Sequence, residues 1–237
     1  MIQLIAHRGN DGTGMVANSK AALLTSMEKD YIAGIELDVR LTKDKKVVVF
    51  HNFLIDDTKH RIRKISSLTF KEIQAYRIGK KEKEQVPLLE SVLACISSNK
   101  KILIEIKEES SDYQDILDAV YQVIKQYPEL TIYICSFHYE LLKAFQRQHP
   151  NYRVGLIIGF MINMDHLNHP FDFTSIPMSM IDHWDFRKET FVWTVNNPSD
   201  IKKLYQKTTR ANVITDEAYA LNDVIKNSIS ALPDSHH

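Results

Sequence analysis

Eight short apolar runs rich in β-branched residues recur along the chain, and stretches with helical periodicity separate most of them. The runs occupy residues 2–6, 34–39, 101–106, 130–135, 152–158, 175–181, 190–195 and 212–215. Strands that alternate with helices pair in parallel, because a parallel crossover needs a long connection. Eight such units in 237 residues favour an α/β fold of the (β/α)8 TIM barrel type over an open doubly wound sheet, which usually has about five or six strands.

Two regions interrupt this alternation. Between the second run and a helical stretch at 87–96, the chain holds the apolar segment VVVF at 47–50, a charged segment and a short helix-like segment. We interpret residues 52–86 as a small insertion after the second strand of a single barrel domain that spans residues 1–237. Between residues 159 and 190 the helical pattern is weak, so the helices around the sixth predicted strand are poorly marked.

Composition argues against several classes of partner. Lysine plus arginine and aspartate plus glutamate both number 30, so no overall field attracts nucleic acid or an anionic membrane. The longest apolar stretch, residues 154–162, is about half as long as a membrane-spanning helix, and we expect no stable membrane insertion. The first residues, MIQLIAHRGN, lack the features of a secretory signal, so we expect a cytoplasmic protein with a small-molecule partner.

Histidines and charged residues gather where predicted strands end, which is where TIM barrels place their active sites. They are His7 and Arg8 after the first strand, Glu36 and Asp38 in the second, His51 after VVVF, and Glu105 and Lys107 at the end of the third. Because side chains alternate along a strand, Glu36 and Asp38 share a face, and so do Glu105 and Lys107. Such converging carboxylates need a cation between them, and their oxygens suit Mg²⁺ or Ca²⁺ better than zinc. A Glu-x-Asp strand taken alone is more often a salt-bridged barrel interior.

Several motifs in this order resemble the glycerophosphodiester phosphodiesterase family, whose members are TIM barrels. The similarity runs from about residue 5 to 216 through IAHRGN, GIELDVRLTKDKKVVVFHN, PLLESVLACI, ILIEIK, FVWTVNN and VITDEA. It implies that His7 and His51 are the catalytic histidines and that one divalent cation, Mg²⁺ or Ca²⁺, binds to Glu36, Asp38 and Glu105. It also implies phosphate contacts for Arg8 and Lys107 and a pocket wall that includes Trp193. Phe137 is a weaker candidate for the same wall, and a core position is an equal alternative.

The chain departs from the family pattern at two places. Val16-Ala17-Asn18-Ser19 stands where the family has Pro-Glu-Asn-Thr, and Asn52 stands where an aspartate usually follows the second histidine. Asn18 either reaches the site as a substrate-binding residue or caps the first helix, and capping is the simpler interpretation.

The resemblance predicts metal-dependent hydrolysis of glycerophosphodiesters to sn-glycerol 3-phosphate and an alcohol. We expect His51 to act as the acid and His7 as the base, although the sequence also allows the reverse, and the nucleophile is either water or a glycerol hydroxyl. One alternative is lysophospholipase D-type activity, indicated only by the apolar stretch at 159–164. Others are a non-catalytic glycerophosphodiester-binding barrel and a metal-free lyase, neither of which needs the complete set of residues.

Other residues of metal-binding type have structural interpretations. Cys95 and Cys135 lie outside any CxxC pattern, so we expect reduced, buried packing residues. His166 and His169 lie in a turn-rich stretch, where their spacing is a weak metal signal. The remaining histidines, His60, His138, His149 and His183, lie in segments predicted to be loops or polar helix faces.

Overall fold

The computed structural model describes residues 1–56, 62–79, 84–108, 112–159 and 168–230. Its strands are β1 (Gln3–His7), β2 (Ile32–Leu41), β3 (Val47–Val49), β4 (Leu54–Asp56), β5 (Ile62–Lys64), β6 (Lys101–Ile106), β7 (Thr131–Ser136), β8 (Arg153–Ile157), β9 (Phe173–Pro177), β10 (Glu189–Trp193) and β11 (Asn212–Thr215). Eight of them pair in parallel in the order β2–β6–β7–β8–β9–β10–β11–β1, and β1 also pairs with β2. The sheet therefore closes on itself, and the predicted TIM barrel is confirmed.

Helices connect most of the barrel strands on the outside. They are α1 (Lys20–Glu28), α2 (Phe70–Ile73), α3 (Leu89–Leu93), α4 (Gln114–Ile124), α5 (Tyr139–Gln148), α6 (Pro198–Lys207) and α7 (Ala218–Ser230). The apolar faces of these helices and the outward faces of the strands form one large cluster of buried residues. No helix in the described part of the chain is long and apolar enough to cross a membrane. The cytoplasmic location stays a prediction.

The region between 159 and 190 is where the sequence interpretation was partly wrong. The predicted sixth strand, residues 175–181, is displaced: β9 covers Phe173–Pro177, and Met178–His183 form a 3₁₀ helix. The apolar letters MSMI resemble a strand, but the backbone turns directly after Pro177, and Ile181 is buried from the helix. Between β8 and β9 the described residues contain no α-helix, and residues 160–167 lie outside them.

A second apolar cluster fills the inside of the barrel. It consists of Ile5, Leu103, Tyr133, Cys135, Ile157, Phe173, Phe191 and Ile214. Gly155 makes room for the largest of these contacts, because a Cβ atom there would lie 2.2 Å from the ring of Phe173. The aromatic rings block the barrel at this level, so a ligand can enter only above them, at the carboxyl ends of the strands.

The segment between β2 and α3 is the predicted insertion. β3 pairs antiparallel with β2, and β4 and β5 form a separate two-stranded hairpin. The insertion has its own apolar core, made of Val48, Phe50, Ile55, Ile65, Leu68, Ile73, Tyr76 and Val86. Since β3 runs back along β2, it returns the chain to the carboxyl end of the barrel, where His51 follows.

Candidate active site

The register of three neighbouring strands builds a cluster of carboxylates at the carboxyl end of the barrel. His7 on β1 is opposite Glu36 on β2, and Asp38 on β2 is opposite Glu105 on β6. Glu36 and Asp38 face the same side, as the alternation predicts. One oxygen from each of the three carboxylates lies within 4.8 Å of the others, and all three side chains are buried.

The electrostatics of this carboxylate trio, Glu36, Asp38 and Glu105, are unfavourable without a cation. Burial, together with the charges of Asp38 and Glu105, raises the pKa of Glu36 well above its usual value. Burial is also the main cause that raises the pKa of Glu105 to about 7. The pKa of Asp38 lies below its usual value, because Lys107 and Arg8 outweigh the effect of burial. Protons or a bound cation must therefore neutralise part of the trio.

Two cations already contact the trio. The Arg8 Nε lies 3.1 Å from Asp38 Oδ2, and the Arg8 backbone N–H donates to Glu36 Oε2 at 3.0 Å. The Lys107 Nζ lies 2.6 Å from Glu105 Oε1 and 3.3 Å from Asp38 Oδ1. Burial alone would lower the pKa of Lys107, but these carboxylates raise it, so the side chain is charged.

The donor set fits one divalent cation. Three carboxylates against Arg8 and Lys107 leave a net negative charge, and carboxylate oxygens are the ligands that Mg²⁺ and Ca²⁺ prefer. The raised pKa values of Glu36 and Glu105 have the same meaning, since a cation would relieve the repulsion that raises them.

Asn18 contacts the trio and does not cap α1. Its amide donates to Asp38 Oδ2 at 2.8 Å, and its Oδ1 accepts the Asp38 backbone N–H at 3.3 Å. Ser19 is the cap, because its backbone is extended and its hydroxyl accepts the N–H of Ala22. Asn18 has a φ of 61°, which is not the backbone conformation of a capping residue, so the capping interpretation was wrong. Through this contact, Asn18 fixes the orientation of the Asp38 carboxylate.

His7 is held by a residue to which the sequence interpretation assigned no role. The His7 Nδ1 lies 2.8 Å from Asp216 Oδ1, and the Asn196 amide donates to Asp216 Oδ2 at 3.0 Å. Burial would raise the pKa of Asp216, but the hydrogen bonds from His7 and Asn196 hold it below its usual value. The carboxylate therefore accepts the Nδ1 proton of His7 and leaves Nε2, 3.9 Å from Glu36 Oε2, facing the trio.

His51 has a neutral partner instead. It lies just beyond β3, and its Nδ1 is 2.8 Å from Asn52 Oδ1, which can only accept a hydrogen bond. The His51 backbone carbonyl accepts a hydrogen bond from Arg40 Nε at 2.9 Å, which fixes the segment. Burial lowers the pKa of His51 below its usual value.

A cavity of about 260 Å³ lies between the two histidines, above the aromatic rings that fill the barrel. Its lining includes both histidines, Arg8, Glu36, Glu105, Lys107, Phe137, Cys135 and Trp193. Phe137 is 49% exposed and meets Trp193 edge-on, with 6.1 Å between ring centroids. The core interpretation of Phe137 was therefore wrong, and the two rings form one apolar wall. The structure thus brings all ten predicted site residues to one end of the barrel.

Comparison with known proteins agrees with this arrangement. The profile of the glycerophosphoryl diester phosphodiesterase family matches residues 7–219. The chain belongs to this family. A glycerophosphodiester phosphodiesterase from Caldanaerobacter subterraneus subsp. tengcongensis is 30% identical over 239 residues, which cover 94% of this chain and 97% of that protein. The family assignment makes the protein a phosphodiesterase.

Solved structures from the family have the same fold. A glycerophosphodiester phosphodiesterase from Parabacteroides distasonis superposes with a TM-score of 0.81 at 24% identity and covers 97% of this chain and 98% of its own. A phosphodiesterase from Oleispira antarctica, solved with the product sn-glycerol-3-phosphate, has a TM-score of 0.81 at 22% identity and covers 94% and 96%.

The remaining residues of metal-binding type in this family member have structural positions. His169 is buried, with Nε2 2.8 Å from Thr174 Oγ1, and His138 caps α5. His149 stacks on Tyr121 at the end of α5, and His183 is exposed on the 3₁₀ helix. His60, His166 and most of the apolar stretch 159–164 lie outside the described residues. Cys95 and Cys135 are free thiols as expected, but Cys95 is exposed because it follows the last turn of α3.

Proposed function

We propose that the protein hydrolyses glycerophosphodiesters to sn-glycerol 3-phosphate and an alcohol and that it needs one divalent cation, Mg²⁺ or Ca²⁺. The observation that carries the proposal is the convergence of two histidines, two cations and three carboxylates on one cavity of about 260 Å³. The names of the relatives and the product bound to the Oleispira antarctica phosphodiesterase support the same substrate class.

The carboxylate trio would hold the cation, which would polarise a phosphate oxygen and offset the charge of the diester. Arg8 and Lys107 bind the remaining phosphate oxygens, because each already faces the trio from a different strand. The wall formed by Phe137 and Trp193 packs against the carbon skeleton of the glycerol end. These contacts orient the phosphorus between the two histidines.

The histidines divide the proton transfers. His7 Nε2 accepts a proton from the attacking water as the water oxygen bonds to phosphorus, and the bond between phosphorus and the alcohol oxygen breaks. His51 Nε2 donates a proton to that oxygen, so the alcohol leaves neutral. The environments support this division: the Asp216 carboxylate makes His7 the stronger base, and a lowered pKa makes the His51 imidazolium the stronger acid.

The activity is tested by measuring glycerol 3-phosphate released from glycerophosphocholine, glycerophosphoethanolamine and glycerophosphoglycerol, with Mg²⁺, Ca²⁺ or EDTA. We expect release that depends on the cation and falls by roughly 10²–10⁴-fold in His7→Ala. Metal-bound, folded protein that releases nothing from these substrates would contradict the proposal.

A substrate with a good leaving group separates the roles of the histidines. Glycerophospho-p-nitrophenol releases p-nitrophenolate, which needs no proton from an acid. His51→Ala should therefore retain much more activity on this substrate than on glycerophosphocholine, whereas His7→Ala should lose activity on both. The opposite pattern would exchange the two roles.

A further inference from the structure

A second, larger space adjoins the central cavity. It is a groove of about 880 Å³ between the loop before α1 and the insertion after β3. Arg8 and His51 line both the groove and the central cavity, so the two spaces meet at the proposed phosphate position. The groove therefore receives whatever part of a substrate extends away from the phosphate on this side.

The size of the groove exceeds what a small alcohol requires. The central cavity, at about 260 Å³, is already large enough for a glycerol or a choline group. The groove has more than three times that volume, within the range of roughly 300–1,000 Å³ found for sites that enclose larger organic ligands. A substrate that consists only of glycerol, phosphate and a small alcohol would leave the groove to water.

The walls of the groove are apolar. Six side chains from both sides form them: Met15, Val16, Ala17, Leu54, Ile55 and Ile78. Leu54 is 43% exposed on β4, so apolar surface faces the groove and is not used by the core of the insertion. Covering such surface with hydrocarbon is favourable, whereas a hydroxyl or ammonium group placed there would lose its hydration.

The charged residue at the edge of the insertion is already engaged. Arg77 also lines the groove, but its guanidinium donates to the backbone carbonyls of Gln74 at 2.7 Å and Tyr76 at 2.9 Å. It therefore fastens the chain after α2 and leaves the apolar wall as the main surface that a ligand meets. The anionic part of a ligand is attracted to Arg8 at the inner end.

We propose that this groove binds the hydrocarbon chain of a lysophospholipid whose phosphodiester lies at Arg8 and His51. The inference rests on the proposed function and specifies its substrate. Water adds to phosphorus, the bond from phosphorus to the head-group oxygen breaks, and that oxygen takes the proton. The products are an acylglycerol 3-phosphate, which keeps the chain, and the head-group alcohol.

Turnover of a chain-length series tests the substrate. Glycerophosphocholine is compared with hexanoyl, octanoyl and decanoyl lysophosphatidylcholine, each kept below the concentration at which it forms micelles, and choline release is measured. Each added methylene should raise kcat/KM by roughly two- to fourfold until the groove is filled. Equal kcat/KM for all four substrates, or a decrease with chain length, would overturn the proposal.

Binding without turnover separates this inference from the proposed function. Calorimetry with butyl, hexyl and octyl phosphocholine reports the groove directly, and affinity should rise by the same roughly two- to fourfold per methylene. A rise in affinity combined with no hydrolysis of any substrate would support the groove and refute the hydrolase. Hydrolysis of glycerophosphocholine combined with a flat affinity series would refute the groove alone.

Two substitutions on one hairpin provide the matched control. Leu54→Asp places a charge in the wall, and Ile62→Asp places the same charge on the neighbouring strand β5, where Ile62 is 63% exposed and does not line the groove. Leu54→Asp should abolish the dependence of affinity on chain length, and Ile62→Asp should keep it. Val16→Asp, on the opposite wall, should reproduce the effect of Leu54→Asp. An unchanged dependence in both wall variants would show that the chain binds elsewhere.

Discussion

Replacing Asp216 with asparagine tests whether this carboxylate controls His7. Asp216 accepts from His7 Nδ1 through one oxygen and from the Asn196 amide through the other. The Asn196 side chain cannot turn around, because its Oδ1 accepts hydrogen bonds from Thr215 Oγ1 and from the Asp216 backbone N–H. Both positions around the Asp216 carboxylate therefore require an acceptor.

An asparagine at position 216 can supply only one acceptor. If its oxygen faces His7, its amide nitrogen lies against the amide nitrogen of Asn196, and two donors meet. If its oxygen faces Asn196, its amide nitrogen donates to His7 Nδ1, which must then give up its proton and keep one on Nε2. That tautomer cannot accept a proton at Nε2, so both orientations impair His7.

The magnitude follows from the bond that is lost. A hydrogen bond to a charged group contributes about 1.5–3 kcal/mol. The Asp216 side chain is 32% exposed, so solvent screening favours the lower half of this range. A loss of about 1.5–2 kcal/mol in the transition state corresponds to a roughly 10–30-fold decrease in kcat, with little change in KM.

The assay is steady-state hydrolysis of glycerophosphocholine at saturating divalent cation, with thermal unfolding to check the fold. Asp182→Asn is the control, because it removes a carboxylate that pairs with Lys203 and Lys207 on the surface, and its kcat should not change. Adding Asn196→Asp to Asp216→Asn should recover part of the loss, since the new carboxylate accepts the amide and lets its oxygen face His7. A kcat for Asp216→Asn within about twofold of the unmodified protein would refute the reasoning.

Three further predictions concern charge and packing. Asn52→Asp gives His51 a charged partner in place of a neutral one, so the alkaline limb of the pH–rate profile should move up by about one pH unit. Because the pKa of Glu105 rises from 4.5 unfolded to about 7 folded, the metal-free protein should lose roughly 3 kcal/mol of stability as pH rises across that window; thermal unfolding in EDTA should show this, and Glu105→Gln should abolish it. Gly155→Ala should cost about 1–3 kcal/mol in urea unfolding, whereas Gly159→Ala, whose Cβ would meet its nearest neighbour at 3.4 Å, should be tolerated.

The strand pattern was the most readable part of the sequence, because each buried strand of a parallel barrel is a short apolar run bounded by polar residues. That rule failed at residues 175–181, where the apolar run continues past Pro177 into a 3₁₀ helix. Burial of Ile181 depends on a tertiary contact, and the local pattern contains no sign of it. The alternation of faces, by contrast, correctly predicted that Glu36 and Asp38 point the same way.

The roles of short polar residues were less readable. Asn18 and Ser19 are both good capping residues, and the sequence does not state which of them has the extended backbone that a cap requires. The apolar stretch at 159–164 suggested a hydrocarbon site, but the described groove is formed by the loop before α1 and by the insertion. Its walls come from segments that are distant in sequence, and no local periodicity relates them.

The position of Asp216 shows why closure of the barrel matters for the site. Asp216 and His7 are 209 residues apart, so no local rule relates them. The parallel register of β1 and β11 places Ala6 opposite Thr215, and the next residue on each strand is His7 and Asp216. The same β1 pairs on its other side with β2, where His7 is opposite Glu36. One closed register therefore gives His7 both its carboxylate partner and its place beside the metal ligands, and a slip of one residue at this seam would remove both.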